Sequence, residues 1–277
     1  MIFIFLCVLS LISATAQTGY PDSLLASGDY RLASLEYERL ISKTTEAREL
    51  NPLRYQRAKC FKLLGEYSRA QVEFSKISYW ALPDSLVAVY KYEEALCDYL
   101  AGSFSNVIFQ TDQLDSSALT NDLNANVTLL RALSYNELME WDKALQAALL
   151  YNRKVHSLPL ADSIANLLVD YYQPKKLPRL KSEKKANIYR MVPGLGQAYA
   201  GRPIEGLFNF SLNAAFLSFG AYQIWHHYYI TGYFVGALGL NKVYFGGHAR
   251  TAFLLNKHNY KVRKDFCEKV KTALLYR

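Results

Sequence analysis

Histidine and cysteine most often carry metal or nucleophilic chemistry, and both are sparse in this chain. His226 and His227 are adjacent, so their side chains would point in different directions on a helix, and no third ligand or cluster of Asp and Glu accompanies them. Three of the four cysteines lie outside the N-terminal apolar segment, namely Cys60, Cys97 and Cys267. Their spacing matches neither a metal site nor a disulfide framework. We therefore expect no metal site and assign no chemistry to the thiols.

A glycine-rich turn begins at Pro193, where the chain reads Pro-Gly-Leu-Gly through Gly196. This turn lacks the Lys-Ser/Thr pair and the preceding strand that a phosphate-binding loop requires. The sequence contains no evident Ser-His-Asp or Cys-His arrangement of the kind that supports nucleophilic catalysis. The prediction is therefore a protein without enzymatic activity or cofactor, whose function depends on binding surfaces.

Charge divides the chain into two parts. Up to Tyr172 there are 15 Lys and Arg against 20 Asp and Glu, whereas from Gln173 onward there are 17 against 4, which together give the net charge of +8. In the second part the basic residues flank apolar stretches, an arrangement typical of segments beside anionic lipid headgroups. This pattern favours a membrane over a nucleic acid as the partner of the basic part.

A period of 37 residues organises the first part of the chain. Five sets of residues recur at this interval, and we call each set a column. They are Gly28, Gly65, Gly102 and, as the exception, Met139; Tyr30, Tyr67, Phe104 and Trp141; Ala33, Ala70, Val107 and Ala144; Tyr37 and Phe74, replaced later by Thr111 and Ala148; and, upstream, Ala58, Ala95 and Ala132. A small residue and a large one at positions i and i+4 share one helical face, where the small one admits a neighbouring helix and the large one fills the gap. The period predicts four helix–turn–helix units.

From Gly19 to Tyr151 these columns resemble the tetratricopeptide repeat family, whose second helix begins after a glycine turn. The resemblance implies an all-α helical solenoid. Its period exceeds the usual length by about three residues, which we place in connections such as 78–83 and 114–120. A helix over 160–172, after Pro159, is expected to cap the stack.

The resemblance further implies that the first helix of each repeat lines an inner face. The residues expected there are Tyr55, Lys59, Lys62, Tyr92, Leu96, Tyr99, Leu133 and Asn136. Aromatic side chains in such a groove would suit an extended or helical peptide. These positions do not reproduce the family's Lys and Asn clamp for a C-terminal carboxylate, so no such ligand is predicted. The alternative is that several of the tyrosines pack between repeats.

The second part contains two apolar segments joined by an aromatic turn at 226–229. The segment from Ile204 to Trp225 has 22 residues with Glu205 as its one charged residue, a length that crosses the hydrocarbon core. The return segment over 230–245 is shorter and more polar. Its Gly232 and Gly236 have the spacing that lets membrane helices approach closely. Asn209 and Asn213 are expected to share the face turned to the partner helix. A water-soluble helical hairpin is the alternative.

A specific motif precedes these segments. Its residues are Pro193, Gly194, Gly196, Gln197, Tyr199 and Gly201. A Pro-Gly-x-Gly-Gln-x-Tyr-x-Gly turn ahead of a hydrophobic helix pair resembles a group of small bacterial membrane domains, often joined to tetratricopeptide repeats in exported proteins of Bacteroidetes-like bacteria. The resemblance covers Met191 to Asn256 and implies a transmembrane helical hairpin without an assigned biochemical role.

The N-terminal segment 1–16 is apolar and ends in Ala14-Thr15-Ala16, a pattern that signal peptidase accepts, although no Lys or Arg precedes its core. A buried helix and an uncleaved anchor are the alternatives. The expected organisation is a signal peptide over 1–16, repeats with a capping helix over 17–172, a basic linker over 173–190, a membrane hairpin domain over 191–256 and a basic tail over 257–277.

The sequence therefore predicts a protein anchored in the bacterial cell envelope. The signal peptide places the repeats in the periplasm, whereas the positive-inside rule favours the basic flanks of the hairpin in the cytoplasm; we give the signal peptide precedence, because a translocated domain fixes the orientation. Its expected partners are a protein or peptide and membrane lipid, and not nucleic acid; a homo-oligomer is left open. The leading hypothesis is an interaction scaffold. The alternative is a membrane-assembly or oligomerising factor in which the hairpin is the active part and the repeats are a docking arm.

Overall fold

The computed structural model describes residues 19–114 and 119–275, and all regular structure in those ranges is helical. The prediction of an all-α protein is confirmed. The predicted signal peptide over 1–16 lies outside the described residues. The chain forms two compact units, which divide between Val169 and Asp170.

The first unit is a succession of helices in which neighbours along the chain pack against each other. They are α1 (19–27), α2 (Tyr30–Ile41), α3 (Ala47–Leu63), α4 (Tyr67–Phe74), α5 (Asp84–Leu100), α6 (Phe104–Asp112), α7 (Asn121–Glu137), α8 (Trp141–Val155) and α9 (Leu158–Tyr171), with a 3-10 turn at Tyr79–Ala81. The division between the units falls within the last turn of α9.

The turn within each helix pair has the same geometry four times. The turn residues are Gly28, Gly65, Gly102 and Met139, with φ of 91°, 75°, 81° and 62°. After each of them, the next backbone N–H donates to a carbonyl five residues earlier, as Glu66 N does to Phe61 O at 2.9 Å. This bond satisfies one of the carbonyls left over at the end of the first helix. Glycine adopts this left-handed conformation without strain, which explains its recurrence.

The 37-residue columns form the core of this unit. Fully or almost fully buried are Ala33, Ala70, Val107 and Ala144; Ala58, Ala95 and Ala132; and Tyr37, Phe74, Thr111 and Ala148. Small residues at the first two sets of positions let helices approach closely, and the aromatic side chains fill the space between them. The helix expected over 160–172 is present as α9, with Ala161, Ile164 and Leu168 on its buried face.

The second unit contains α10 (Glu183–Tyr189), α11 (Leu195–Tyr199), α12 (Pro203–Trp225) and a long return helix. The return helix runs without interruption as α13 (Tyr229–Thr231), a π-helical segment (Gly232–Ala237) and α14 (Leu238–Leu275). Helix extends into both expected basic segments. The helix α10 lies in the expected linker, with the Ser182 hydroxyl capping its first turn, and residues 257–275 of the expected tail form the end of α14. We call α12 and the return helix as far as Phe245 the hairpin.

Candidate functional site

The predicted groove residues of α3 and α5 are half-buried, apart from Lys59, which is exposed. Tyr55 stacks on Tyr90, with ring centroids 4.0 Å apart and planes within 8°, and meets Phe74 edge-on. Tyr55 therefore contributes one face to the packing between repeats, as the alternative for the tyrosines predicts. Lys62 forms an ion pair with Glu93, which links α3 to α5.

The three predicted groove residues on α5 also contribute to packing inside the unit. Tyr92, Leu96 and Tyr99 pack against a buried cluster of Ala95, Val107 and Leu130. The two residues on α7 differ, because Leu133 is buried and Asn136 is fully buried. The Asn136 side chain donates to the Ala132 carbonyl at 3.0 Å. These two side chains therefore face the packed interior of the unit, whereas the other predicted groove residues are half-buried or exposed.

The first unit contains a partly buried polar network that the 37-residue pattern does not predict. The Tyr79 hydroxyl donates to Glu94 Oε2 at 2.6 Å, and Gln110 Nε2 donates to Asp98 Oδ2 at 2.8 Å. Gln71 also donates to Asp98. Burial raises the pKa of both the Glu94 and the Asp98 carboxyl. The network joins α4, α5 and α6, and a spacing of four residues between two acids was the only hint of it.

The three described cysteines are buried, and none of them forms a disulfide. Burial raises the pKa of Cys60 to about 11 and that of Cys97 to about 12, so both are protonated thiols at neutral pH. Over residues 19–114 and 119–275, no group of three or more His, Cys, Asp or Glu side chains is placed to hold a metal ion.

His227, at the turn between the hairpin helices, has a φ of 62° and contacts the Tyr229 hydroxyl through Nδ1 at 2.8 Å.

The Pro-Gly-x-Gly-Gln motif places α11 tightly against its neighbours. Gly194 has a φ of 85°, and a side chain there would collide with the backbone of Gly206 in α12. A Cβ on Gly196 would lie 2.6 Å from the Thr251 hydroxyl of α14. The two glycines are therefore required for the close approach of three helices. This packing also buries Gln197 almost completely, while Pro193 lies beside the hairpin.

The end of the motif fixes the chain before α10. The Tyr199 hydroxyl accepts a hydrogen bond from the Ser182 backbone N–H at 3.0 Å, and its ring packs on Tyr189 with centroids 5.0 Å apart. Gly201 has a φ of 100°, and a Cβ there would lie 3.3 Å from the Lys181 Nζ atom. These contacts give the motif a structural role in joining α10, α11 and α12.

The two helices of the hairpin meet through small and amide residues. Gly220, Gly232 and Gly236 are all buried where α12 crosses the π-helical segment. The Asn209 amide lies against Gly247 of α14, since a Cβ on that glycine would be 2.9 Å from Asn209 Oδ1. Asn213 is buried on the same side of α12 and donates through Nδ2 to the Asn209 carbonyl at 2.8 Å.

Most of the remaining hairpin surface is apolar and exposed. The exposed large side chains are Ile204, Leu207, Phe208, Phe210, Leu212, Leu217, Phe219, Tyr222, Ile224, Trp225, Tyr228, Tyr229, Ile230, Tyr233, Phe234, Val235, Leu238 and Phe245. They surround both helices, whereas the buried positions are mainly glycine and asparagine. This distribution is the reverse of a soluble helix pair, which buries its large apolar residues.

Among the described helices, none combines the length and the apolar character needed to cross a bilayer.

Comparison of this chain with protein-family models, with curated proteins and with solved structures finds no match.

Proposed function

We propose that this protein is a membrane-attached interaction scaffold of the bacterial cell envelope, in which a tetratricopeptide-like repeat unit binds a protein or peptide. The hairpin is embedded in lipid and holds the repeats at the membrane, on the periplasmic side. The observation that carries this proposal is the exposed apolar surface of the hairpin.

The size of that surface supports lipid contact. Ile204, Leu207 and Phe208 lie within about one turn of α12 and are 67–85% exposed. Three such side chains alone expose on the order of 400 Å² of apolar surface, about as much as the largest patch of a typical soluble monomer. The hairpin exposes many more large apolar side chains than these three. A bilayer would cover this surface without a protein partner.

The charges beside the hairpin support attachment to a membrane surface. The segments 173–190 and 257–277 are rich in Lys and Arg. Basic residues next to a membrane surface gain roughly 1 kcal/mol each from anionic lipid. The hairpin and its flanks therefore combine apolar insertion with electrostatic attraction, two contributions that add up to stable attachment.

The repeat unit supplies the binding surface in this proposal. Tyr92 and Tyr99 on α5 are half-buried, and Lys59 on α3 is exposed. Half-buried aromatic rings offer rigid contact area at low entropic cost, which favours a peptide ligand.

Vesicle flotation tests the attachment. The full chain is mixed with neutral vesicles and with vesicles containing phosphatidylglycerol. We expect it to float with both, and more completely with the anionic ones. Phe208→Glu combined with Leu217→Glu is expected to lower the partition coefficient onto vesicles by far more than tenfold, because each charge in the apolar region costs roughly 2 kcal/mol or more.

Phe109→Glu is the matched control, since Phe109 is equally exposed but lies on α6 of the repeat unit. All of these chains retain the N-terminal segment, so the difference between them reports on the hairpin. Equal flotation of the hairpin variant and the control would rule out the proposed attachment.

One observation favours a second function, in which the hairpin is the active part. Leu133 and Asn136 of the predicted groove are buried, which leaves fewer residues to bind a ligand there, while the glycines of the motif and the hairpin are tightly packed. Crosslinking in native membranes separates the two functions. Loss of the crosslinked partner in the double variant Lys59→Glu, Tyr92→Ala would support the scaffold function. Loss only in the double variant Phe208→Glu, Leu217→Glu would support a function in which the hairpin is the active part.

A further inference from the structure

A small polar cavity lies between α10 and α14 in the second unit. Its volume is about 210 Å³, less than that of most small-molecule sites, so it suits a compact polar group. Four of its lining residues carry polar side chains that a ligand can reach, namely Glu183, Asn187, Arg190 and Asn256. Arg190 is half-buried and the other three are exposed, so all four are accessible from solvent.

The Pro-Gly-x-Gly-Gln motif sets the position of this cavity. A Cβ on Gly196 would lie 2.6 Å from the Thr251 hydroxyl and 3.1 Å from the Arg190 Cβ, so this glycine brings α14 and the end of α10 together. Thr251 and Leu255 are buried lining residues, and the Thr251 hydroxyl already donates to the Gly247 carbonyl at 2.9 Å. The motif therefore holds the wall that carries Arg190 beside the wall that carries Asn256.

The two charged residues of the cavity do not pair with each other. Among the described residues, neither Glu183 nor Arg190 has an ion-pair partner, and the side-chain amides of Asn187 and Asn256 form no hydrogen bond. Glu183 precedes Arg190 by seven residues, which separates their backbones by roughly 10 Å along the helix axis. A ligand that contacts both must therefore carry a positive and a negative charge several ångströms apart.

A phosphate joined to an ammonium group by two carbons has charges with this separation. The guanidinium of Arg190 presents a fork of N–H donors that matches phosphate oxygens, and the two asparagine amides offer further donors. The Glu183 carboxylate can accept hydrogen bonds from the ammonium group. A phosphate without an ammonium group would instead place a like charge near Glu183, and the charges of a free amino acid are separated by only one carbon.

Exposed apolar side chains stand next to the cavity along both helices. Ile188, which follows Asn187, is 66% exposed, and Phe253, which follows the lining residue Ala252, is 55% exposed. A polar cavity beside exposed apolar side chains suits a ligand whose headgroup is charged and whose remainder is apolar.

We propose that this cavity binds a phosphoethanolamine group carried by a membrane lipid, with the phosphate held by Arg190, Asn187 and Asn256 and the ammonium group held by Glu183. The lipid as the source rests on the proposed function, because an attached hairpin keeps the cavity close to a bilayer. Free phosphoethanolamine has the same charges and is the other source of this chemistry.

Native mass spectrometry of the full chain, released from detergent micelles, tests the site. The two ligands are a phosphatidylethanolamine and its N-acetylated form with the same acyl chains, which lacks the ammonium group. We expect half-saturation by phosphatidylethanolamine at a concentration about tenfold lower, the ratio that one hydrogen-bonded charge pair provides. Attraction by the surrounding lysines alone would give the opposite order, because N-acetylation leaves the lipid with a net negative charge. Equal binding or that opposite order would overturn the proposal.

Three variants assign the contacts. Glu183→Gln should abolish the preference for phosphatidylethanolamine, whereas Arg190→Gln should weaken the binding of both lipids about tenfold. Glu268→Gln is the matched control, since it removes the same charge from an exposed position of α14 outside the cavity, and it should keep the preference. A preference that persists in Glu183→Gln would refute the assigned ammonium contact and with it the proposal.

Competition with free phosphoethanolamine identifies the source. The free compound lacks acyl chains, so we expect it to displace the bound lipid only at a concentration well above that of the lipid. Displacement at an equal concentration would refute the lipid as the source.

The binding measurement is separate from membrane attachment. Loss of vesicle flotation with a retained headgroup preference would refute the proposed function and leave the cavity's ligand chemistry standing. Normal flotation with equal binding of the two lipids would refute the cavity alone.

Discussion

Gly220 of α12 and Gly236 of the return helix meet backbone to backbone: a methyl group on Gly236 would lie 2.5 Å from the Gly220 Cα. Such a distance is far below van der Waals contact, and the opposing atom is main chain, which cannot rotate away. The contact lies in the π-helical segment Gly232–Ala237, where the return helix is locally wider than an α-helix. This one glycine pair sets how closely the two hairpin helices approach.

Gly236→Ala is therefore expected to force the hairpin helices apart and to destabilise the second unit by about 1–3 kcal/mol. Gly246→Ala is the matched control, because a Cβ there meets nothing within 4 Å and alanine favours helix. Thermal unfolding of both chains in the same detergent measures the difference. An unchanged midpoint for Gly236→Ala would contradict the close contact.

The repeat turns give a second prediction, at Gly65. Its φ of 75° is left-handed, and a Cβ there meets no atom within 4 Å, so the cost of a side chain is purely conformational. Gly65→Ala should destabilise the turn by about 1 kcal/mol. Gly65→Asn should cost less, since Asn tolerates this region better. Hydrogen exchange of the Glu66 amide, which donates across the turn, reads out both variants. Equal protection in Ala and Asn variants would argue against a left-handed requirement.

The Asn51 side chain holds the connection between α4 and α5. It is fully buried, donates to the Ser78 carbonyl at 2.9 Å and accepts from the Ser78 N–H at 3.0 Å. Asn51→Ala leaves both backbone groups unpaired, and we expect a loss of about 2–4 kcal/mol. Exchange of the Ser78 amide should accelerate, whereas Asn106→Ala, at an exposed position of α6, should leave it unchanged. Retained protection in Asn51→Ala would show that another group replaces the amide.

The raised pKa values of the Glu94 and Asp98 carboxyls predict how the stability of the first unit depends on pH. Burial raises the pKa of both carboxyls, so the folded state binds protons more readily than the unfolded chain, whose values are near 4. Their contribution to stability is therefore most favourable at low pH, and it is lost as the pH rises through the raised folded values.

Glu94→Gln with Asp98→Asn should remove this loss, because neutral amides incur no charge burial. The variant should gain stability over the unmodified chain as the pH rises from about 4 toward neutrality, as measured by denaturant unfolding at a series of pH values. Asp162→Asn, at an exposed position of α9, is the control and should not change the slope. The opposite slope difference would show that the network stabilises the charged forms.

The sequence by itself determined the repeat architecture. Tyr37, Phe74 and their small partners at 37-residue intervals lie on one helical face, and only burial between helices satisfies a face of that kind. The glycine column fixed the turns as well, since the turn needs a backbone conformation that few other residues adopt. The same local reasoning identified the Pro193 motif and the glycine spacing of the return helix, although whether that helix pair lies in lipid is a proposal.

The tertiary structure alone decided which residues of different helices contact each other. Asn136 looks like a groove residue from its position in the repeat, yet α7 turns it into the core. Gly232 and Gly236 were visible in the sequence, but their partner Gly220 was not, because residues on two helices meet only after the crossing angle is set. Asn213 shows the same limit: the burial of its side chain arises from packing between helices, which no periodicity along one helix encodes.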